Sequence, residues 1–98
     1  MVSDGLKIGM EYEVESETYY TYHEPGGSMA ETVVRAVATV SGTEPTDMEP
    51  LTETVDPDAL DRIVSSFPAD RRWNLTFSFH GYEVSIEASG RVELSPQR

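Results

Sequence analysis

The last third of the chain alternates apolar and polar side chains with a period of two. Trp73, Leu75, Phe77 and Phe79 are separated by Asn74, Thr76 and Ser78, and Tyr82, Val84 and Ile86 follow His80-Gly81. That period belongs to strands with one buried face, and a short turn of residues that accept positive φ joins two of them. A two-residue loop pairs Phe79 with Tyr82, Phe77 with Val84 and Leu75 with Ile86, which gathers every large apolar residue on one face. At the next turn two registers compete. A two-residue Ser89-Gly90 loop would set Glu93 against Ile86 and turn Val92 and Leu94 outward. A three-residue loop, Ala88-Ser89-Gly90 with Gly90 left-handed in a bulge, pairs Ile86 with Val92 and Val84 with Leu94 and sets Glu87 opposite Arg91. Only the second keeps the apolar face whole, so it predicts a three-stranded meander.

Upstream the period changes to that of a helix. Met29, Val33, Ala36, Val37 and Val40 form one stripe, Ser28 and Glu31 open it as a capping box, Glu31 and Arg35 stand at i,i+4, and Gly42 is the expected stop. Asp56-Pro57 reads as N-cap and first residue of a second helix, with Leu60, Ile63, Val64 and Phe67 facing inward and Pro68 closing it. Between the helices, Thr43 to Thr54 is a loop in which Met48 and Leu51 are the expected anchors to the core. Thr18 to Tyr22 is aromatic and β-branched enough to be a strand, which Pro25-Gly26-Gly27 ends. Before it, Met10, Tyr12 and Val14 alternate with Glu11, Glu13 and Glu15, a pattern that suits an edge strand or an acidic arm equally. The joint solution is an α+β two-layer sandwich, two helices packed on one face of a small antiparallel sheet in the order β-α-α-β-β-β. It divides the chain into an arm or edge strand over 1–17, a domain over 18–95 and a tail over 96–98.

Composition alters how the surface reads. Eighteen acidic residues against seven basic ones give a formal charge of -11 over 98 residues, and Lys7 is the only lysine. Disorder does not explain this, because 38% of the residues are apolar and fall on clean periods. Adaptation to concentrated salt does: carboxylates keep a surface hydrated, and at 1 M salt a Debye length of about 3 Å screens their mutual repulsion. The same charge argues against nucleic acid or anionic lipid as partner, without excluding nucleic acid in a salt-adapted proteome. The absence of cysteine removes disulfides, thiolate chemistry and Cys-based metal sites. No stretch reads as a targeting segment or membrane span, so the expectation is a cytoplasmic protein without a membrane partner.

Candidate chemistry is sparse. His23 and His80 are the only histidines, and His80 sits where a left-handed turn residue is expected. Carboxylate pairs are too numerous to single out an acid and base, no serine lies in a nucleophile elbow, and no phosphate loop appears. Gly26-Gly27-Ser28 before a helix has the form of an anion cradle but lacks a neighbouring lysine or arginine, and reads as turn and cap. We therefore expect no enzyme, no metal and no cofactor. Arg71-Arg72-Trp73 is the one basic and aromatic cluster; it either contacts phosphate and stacks a base, or places Trp73 in the core with the arginines near Asp58, Asp61 and Asp70. The polar face of the meander is the other surface of interest. The candidate interaction residues are Arg71, Arg72, Thr76, Ser78, Ser85 and Arg91.

Ser28 to Gly42, Pro50-Leu51, Val55 to Asp61, Leu75-Thr76-Phe77, Gly81 to Val84 and Gly90-Arg91-Val92, taken in that order, resemble the halobacterial output domain family over roughly residues 18–95. The resemblance implies a haloarchaeal signalling output or interaction module, here without an attached receiver domain, whose partner is a signalling or regulatory protein or a second copy. It transfers no catalytic or ligand-binding residue. The runner-up is a small nucleic-acid-associated regulator using Arg71 and Arg72. If the acidity is a salt adaptation, circular dichroism at low salt will show lost structure that molar KCl restores; a spectrum indifferent to salt refutes that origin.

Overall fold

The structure is a computed structural model that describes residues 10–23, 27–66 and 72–97. Strands β1 (Glu11–Glu13) and β2 (Thr18–Tyr22) come first, followed by helix α1 (Met29–Ser41), 3-10 turns at Pro45–Asp47 and Leu51–Glu53, and helix α2 (Pro57–Ser66). Strands β3 (Asn74–Phe79), β4 (Tyr82–Glu87) and β5 (Arg91–Pro96) complete it. The five strands form one antiparallel sheet in the order β1-β2-β5-β4-β3. The two-layer α+β reading holds. The segment before Thr18, which the sequence leaves as arm or strand, contributes a short edge strand through residues 11–13.

Both predicted registers are present. Phe79 pairs with Tyr82, Phe77 with Val84 and Leu75 with Ile86 across a turn in which His80 (φ 53) and Gly81 (φ 79) are left-handed. Ile86 pairs with Val92 and Val84 with Leu94; Gly90 (φ 92) donates its N–H to the Glu87 carbonyl at 2.9 Å and closes the three-residue loop. The core lies on one side of this meander. Val84, Ile86, Val92 and Leu94 are fully buried beneath Met29, Val33, Ala36 and Val37 of α1 and Leu60 of α2. Met48 and Leu51 anchor the connecting loop as expected. Each such side chain contributes about 1.5–3 kcal/mol by leaving water. The half-buried Trp73 packs against the same core, whereas Phe67 and Pro68 lie outside the described residues, as do Pro25 and Gly26.

The helix ends differ in part from expectation. Gly42, left-handed at φ 72, ends α1, and the Asp56 carboxylate accepts the Asp58 N–H at 3.0 Å to cap α2. The Ser28 hydroxyl accepts the Glu31 N–H at 3.2 Å, but among the described residues the Glu31 carboxylate makes no return bond and no ion pair with Arg35. Both side chains are exposed, where water competes well for their charges. The second carboxylate comes from α2. Asp61 takes the Ser28 hydroxyl at 3.0 Å and the Ala30 N–H at 3.1 Å, so one helix caps the other. Partly buried, charge-assisted bonds of this kind exceed neutral ones. Asp61→Ala is expected to destabilise the fold by about 1–2 kcal/mol. In a urea-unfolding cycle at constant molar KCl, Asp61→Ala and Ser28→Ala should be non-additive; strict additivity would show that the pair is not coupled.

Candidate functional site

With the apolar face covered by α1, the opposite face of the sheet lies open among the described residues. Its residues follow from register. Glu11 and Glu13 of β1, Thr18, Tyr20 and Tyr22 of β2, Arg91, Glu93 and Ser95 of β5, Glu83, Ser85 and Glu87 of β4, and Asn74, Thr76 and Ser78 of β3 share it. Arg91 is the only basic side chain in the five strands.

Arg91 organises half of this face. Its Nε donates to Glu93 Oε2 at 2.6 Å, its Nη2 stands 3.6 Å from Glu13 Oε1, and its guanidinium carbon lies 4.0 Å over the centre of the Tyr20 ring. Tyr22 meets Tyr20 edge to face, with ring centres 6.1 Å apart. Partial burial disfavours the charged guanidinium, but the neighbouring Tyr22 hydroxyl and the bond to and charge of Glu93 outweigh it and raise the Arg91 pKa further. Arg91 is a fixed cation, held between an aromatic ring and two carboxylates. That geometry presents a rigid aromatic and charged patch, with Tyr22 56% exposed at its edge. On the other half of the face, Thr76 and Ser85 lie side by side with their hydroxyl oxygens 3.4 Å apart, and Ser78 accepts a bond from the Gln97 side-chain amide at 2.7 Å.

Four of the six candidate residues, Thr76, Ser78, Ser85 and Arg91, therefore share one face. Arg72 is exposed just ahead of β3, and Arg71 lies outside the described residues together with Asp70. Asp61 bonds to the start of α1, and among the described residues no ion pair joins it to Arg72. Tyr20, Tyr22, Glu13 and Glu93 complete the Arg91 cluster and are absent from the sequence-based set. Their alternation was visible in the sequence, but the pairing of β2 with β5 that carries Tyr20 and Tyr22 onto the Arg91 face was not.

Other polar side chains among the described residues bond within the fold. The Ser28 end of α1, the anion cradle of the sequence reading, holds the protein's own Asp61 carboxylate. His23 Nδ1 lies 3.1 Å from Thr32 Oγ1, and the His23 N–H bonds to the Gly90 carbonyl at 2.8 Å, extending the β2–β5 ladder. Glu49 clamps the β3–β4 turn, with Oε1 at 2.8 Å from His80 Nδ1 and Oε2 accepting the His80 N–H at 3.2 Å. Among the described residues, no group of three or more His, Cys, Asp or Glu side chains is placed to hold a metal ion, and no helix is long and apolar enough to cross a membrane.

A family model described as Halobacterial output domain 1 matches residues 26–96. No curated protein and no solved structure matches the chain. The matched segment contains α1, α2 and the meander with Arg91, and it begins after β2, which supplies Tyr20 and Tyr22.

The bond to the His80 side chain lowers the Glu49 pKa below its ordinary value. A lowered folded-state value means that the contact contributes fully above the ordinary carboxylate range and is lost as the pH falls through the lowered value. His80→Asn keeps a side chain that accepts the left-handed turn, as in Asn-Gly hairpins, while removing the imidazole. An NMR titration of the Glu49 carboxyl carbon should give a midpoint below the ordinary one, moved upward by His80→Asn. An unmoved midpoint would mean that His80 does not hold the carboxylate.

Proposed function

The chain belongs to the halobacterial output domain 1 family, and from that premise we propose that it is a non-catalytic output module, passing a signal by binding a signalling or regulatory protein in a salt-rich cytoplasm. The observation that carries this reading is the Arg91 patch: a fixed cation over the Tyr20 ring beside the exposed Tyr22, on a sheet face that no helix among the described residues covers. Tyrosine and arginine are the residue types that most often dominate binding energy at interfaces, because they bring large area at little conformational cost. An already ordered patch also loses little entropy when a partner docks. The surrounding Glu11, Glu13, Glu87 and Glu93 favour a partner with arginine or backbone donors facing them.

The nucleic-acid reading draws no support from this face, since Arg91 is engaged by carboxylates and its neighbours are acidic. It rests on Arg72 with Arg71. The tagged full chain, used as bait at molar KCl against lysate from its own host and read by quantitative mass spectrometry, should retain a signalling or regulatory protein. Tyr22→Ala and Arg91→Ala should each weaken that retention by about 2 kcal/mol or more, roughly thirtyfold. Equal retention by both variants would remove the open face from the reading. Retained nucleic acid that is lost on Arg72→Ala would favour the runner-up.

A further inference from the structure

The two edges of the sheet are built differently. β1 is three residues long and two of them are glutamates, which suits an edge that must not pair with another chain. β3 is six residues long, and no side chain from Trp73 to Phe79 is ionisable, in a chain of net charge -11. It holds neither proline nor glycine. Among the described residues nothing pairs with its outer side.

The backbone phase of that edge follows from one bond. Ala88 donates its N–H to the Trp73 carbonyl at 3.1 Å, so Trp73, Leu75, Phe77 and Phe79 direct their backbone groups toward β4. The N–H and C=O groups of Asn74, Thr76 and Ser78 point outward, unpaired by the sheet. On the helix side, Leu75 and Phe77 remain only half-buried although they pack against the core, because the apolar layer runs out at this edge.

We propose that the outer edge of β3 pairs antiparallel with β3 of a second copy of this chain, joining two sheets into one of ten strands about a two-fold axis at Thr76. Self-pairing suits this strand on three counts. The outward residues are spaced evenly about Thr76, so Thr76 faces its own counterpart and Asn74 of one copy faces Ser78 of the other, all uncharged. The same register sets Leu75 of one copy opposite Phe77 of the other on the helix side, which continues the apolar layer across the seam. Two strongly acidic copies can approach most closely where neither carries charge, and this strand is the longest uncharged stretch of the sheet. The seam lies on the half of the sheet away from Tyr20 and Arg91 and is independent of the partner reading.

Sedimentation velocity and equilibrium of the purified full chain in molar KCl test it without any partner, so failure here leaves the proposed function standing. The expected result is a reversible monomer–dimer equilibrium between about 10 μM and about 1 mM, in keeping with a seam of backbone bonds and few side chains. Thr76→Pro removes an outward N–H from each copy, and Thr76→Lys sets two like charges on the axis. Each should weaken the dimer about tenfold or more. Tyr12→Lys, on the β1 edge, adds the same charge and should leave the dimer constant unchanged. Should Thr76→Pro fail to fold, as read by circular dichroism, Thr76→Lys decides alone. A chain that stays monomeric over that range, or a dimer indifferent to the folded Thr76 variants, overturns the proposal.

Discussion

Side-chain parity along β4 is the constraint from which most of this structure follows. Successive residues of a strand face opposite sides, so a slip of one position would carry Val84 and Ile86 to water and bring Glu83, Ser85 and Glu87 into the core. Two turns prevent it. His80 and Gly81 hold positive φ in the first, and Gly90 takes the left-handed position that a three-residue loop requires in the second. Losing two fully buried aliphatic side chains would cost about 3–6 kcal/mol, and burying carboxylates in their place would add more, a large part of the stability of a domain this size. Glu49 reinforces the first turn from outside by binding both the imidazole and the N–H of His80.

The same parity produces the exposed site. Once Val92 and Leu94 face α1, Arg91 and Glu93 must face the other way, and antiparallel pairing brings Tyr22 and Tyr20 beside them. The patch is thus the reverse side of the core. Its rigidity has the same source, because the backbone that holds Arg91 over Tyr20 is the backbone that buries Val92. A side chain with no helix above it would ordinarily sample many rotamers. Arg91 is held by Glu93 at 2.6 Å and by the Tyr20 ring at 4.0 Å, in a setting where its charge cannot be titrated away.

What the sequence made legible was mostly set by neighbours in the chain. Both hairpin registers, the Asp56 and Gly42 caps and the anchoring of Met48 and Leu51 depend on residues a few positions apart, and each was readable from spacing. What it did not show depends on contacts across the fold. The placing of β2 beside β5 joins residues more than sixty positions apart, and no local pattern encodes it, so Arg91 was legible as an exposed residue while its tyrosines were not. Asp61 belongs with this second kind. In the sequence it is one more polar position on a helix, and only the crossing of α2 near the start of α1 turns it into a cap. The capping box and the Glu31 and Arg35 pair failed in part for the opposite reason. Exposed local charge pairs gain little over water, so a motif that favours them does not oblige the fold to form them.

The eighteen carboxylates separate along the same line. Most of those among the described residues are exposed, and their number speaks of solvent. A few have specific tasks: Asp56 and Asp61 at helix ends, Glu49 at a turn, and Glu13 and Glu93 at Arg91. Salt acts differently on the two groups. At a Debye length of about 3 Å, repulsion between carboxylates many ångströms apart is largely screened. Hydrogen bonds of 2.6 to 3.2 Å, several of them partly buried, admit no counterion between donor and acceptor and persist. Concentrated salt would therefore lower the repulsive energy of the chain while sparing the contacts that give it shape. In such salt a surface of this charge would be compatible with the few ionic bonds present among the described residues, because screening acts mainly on the long-range repulsions that oppose the fold.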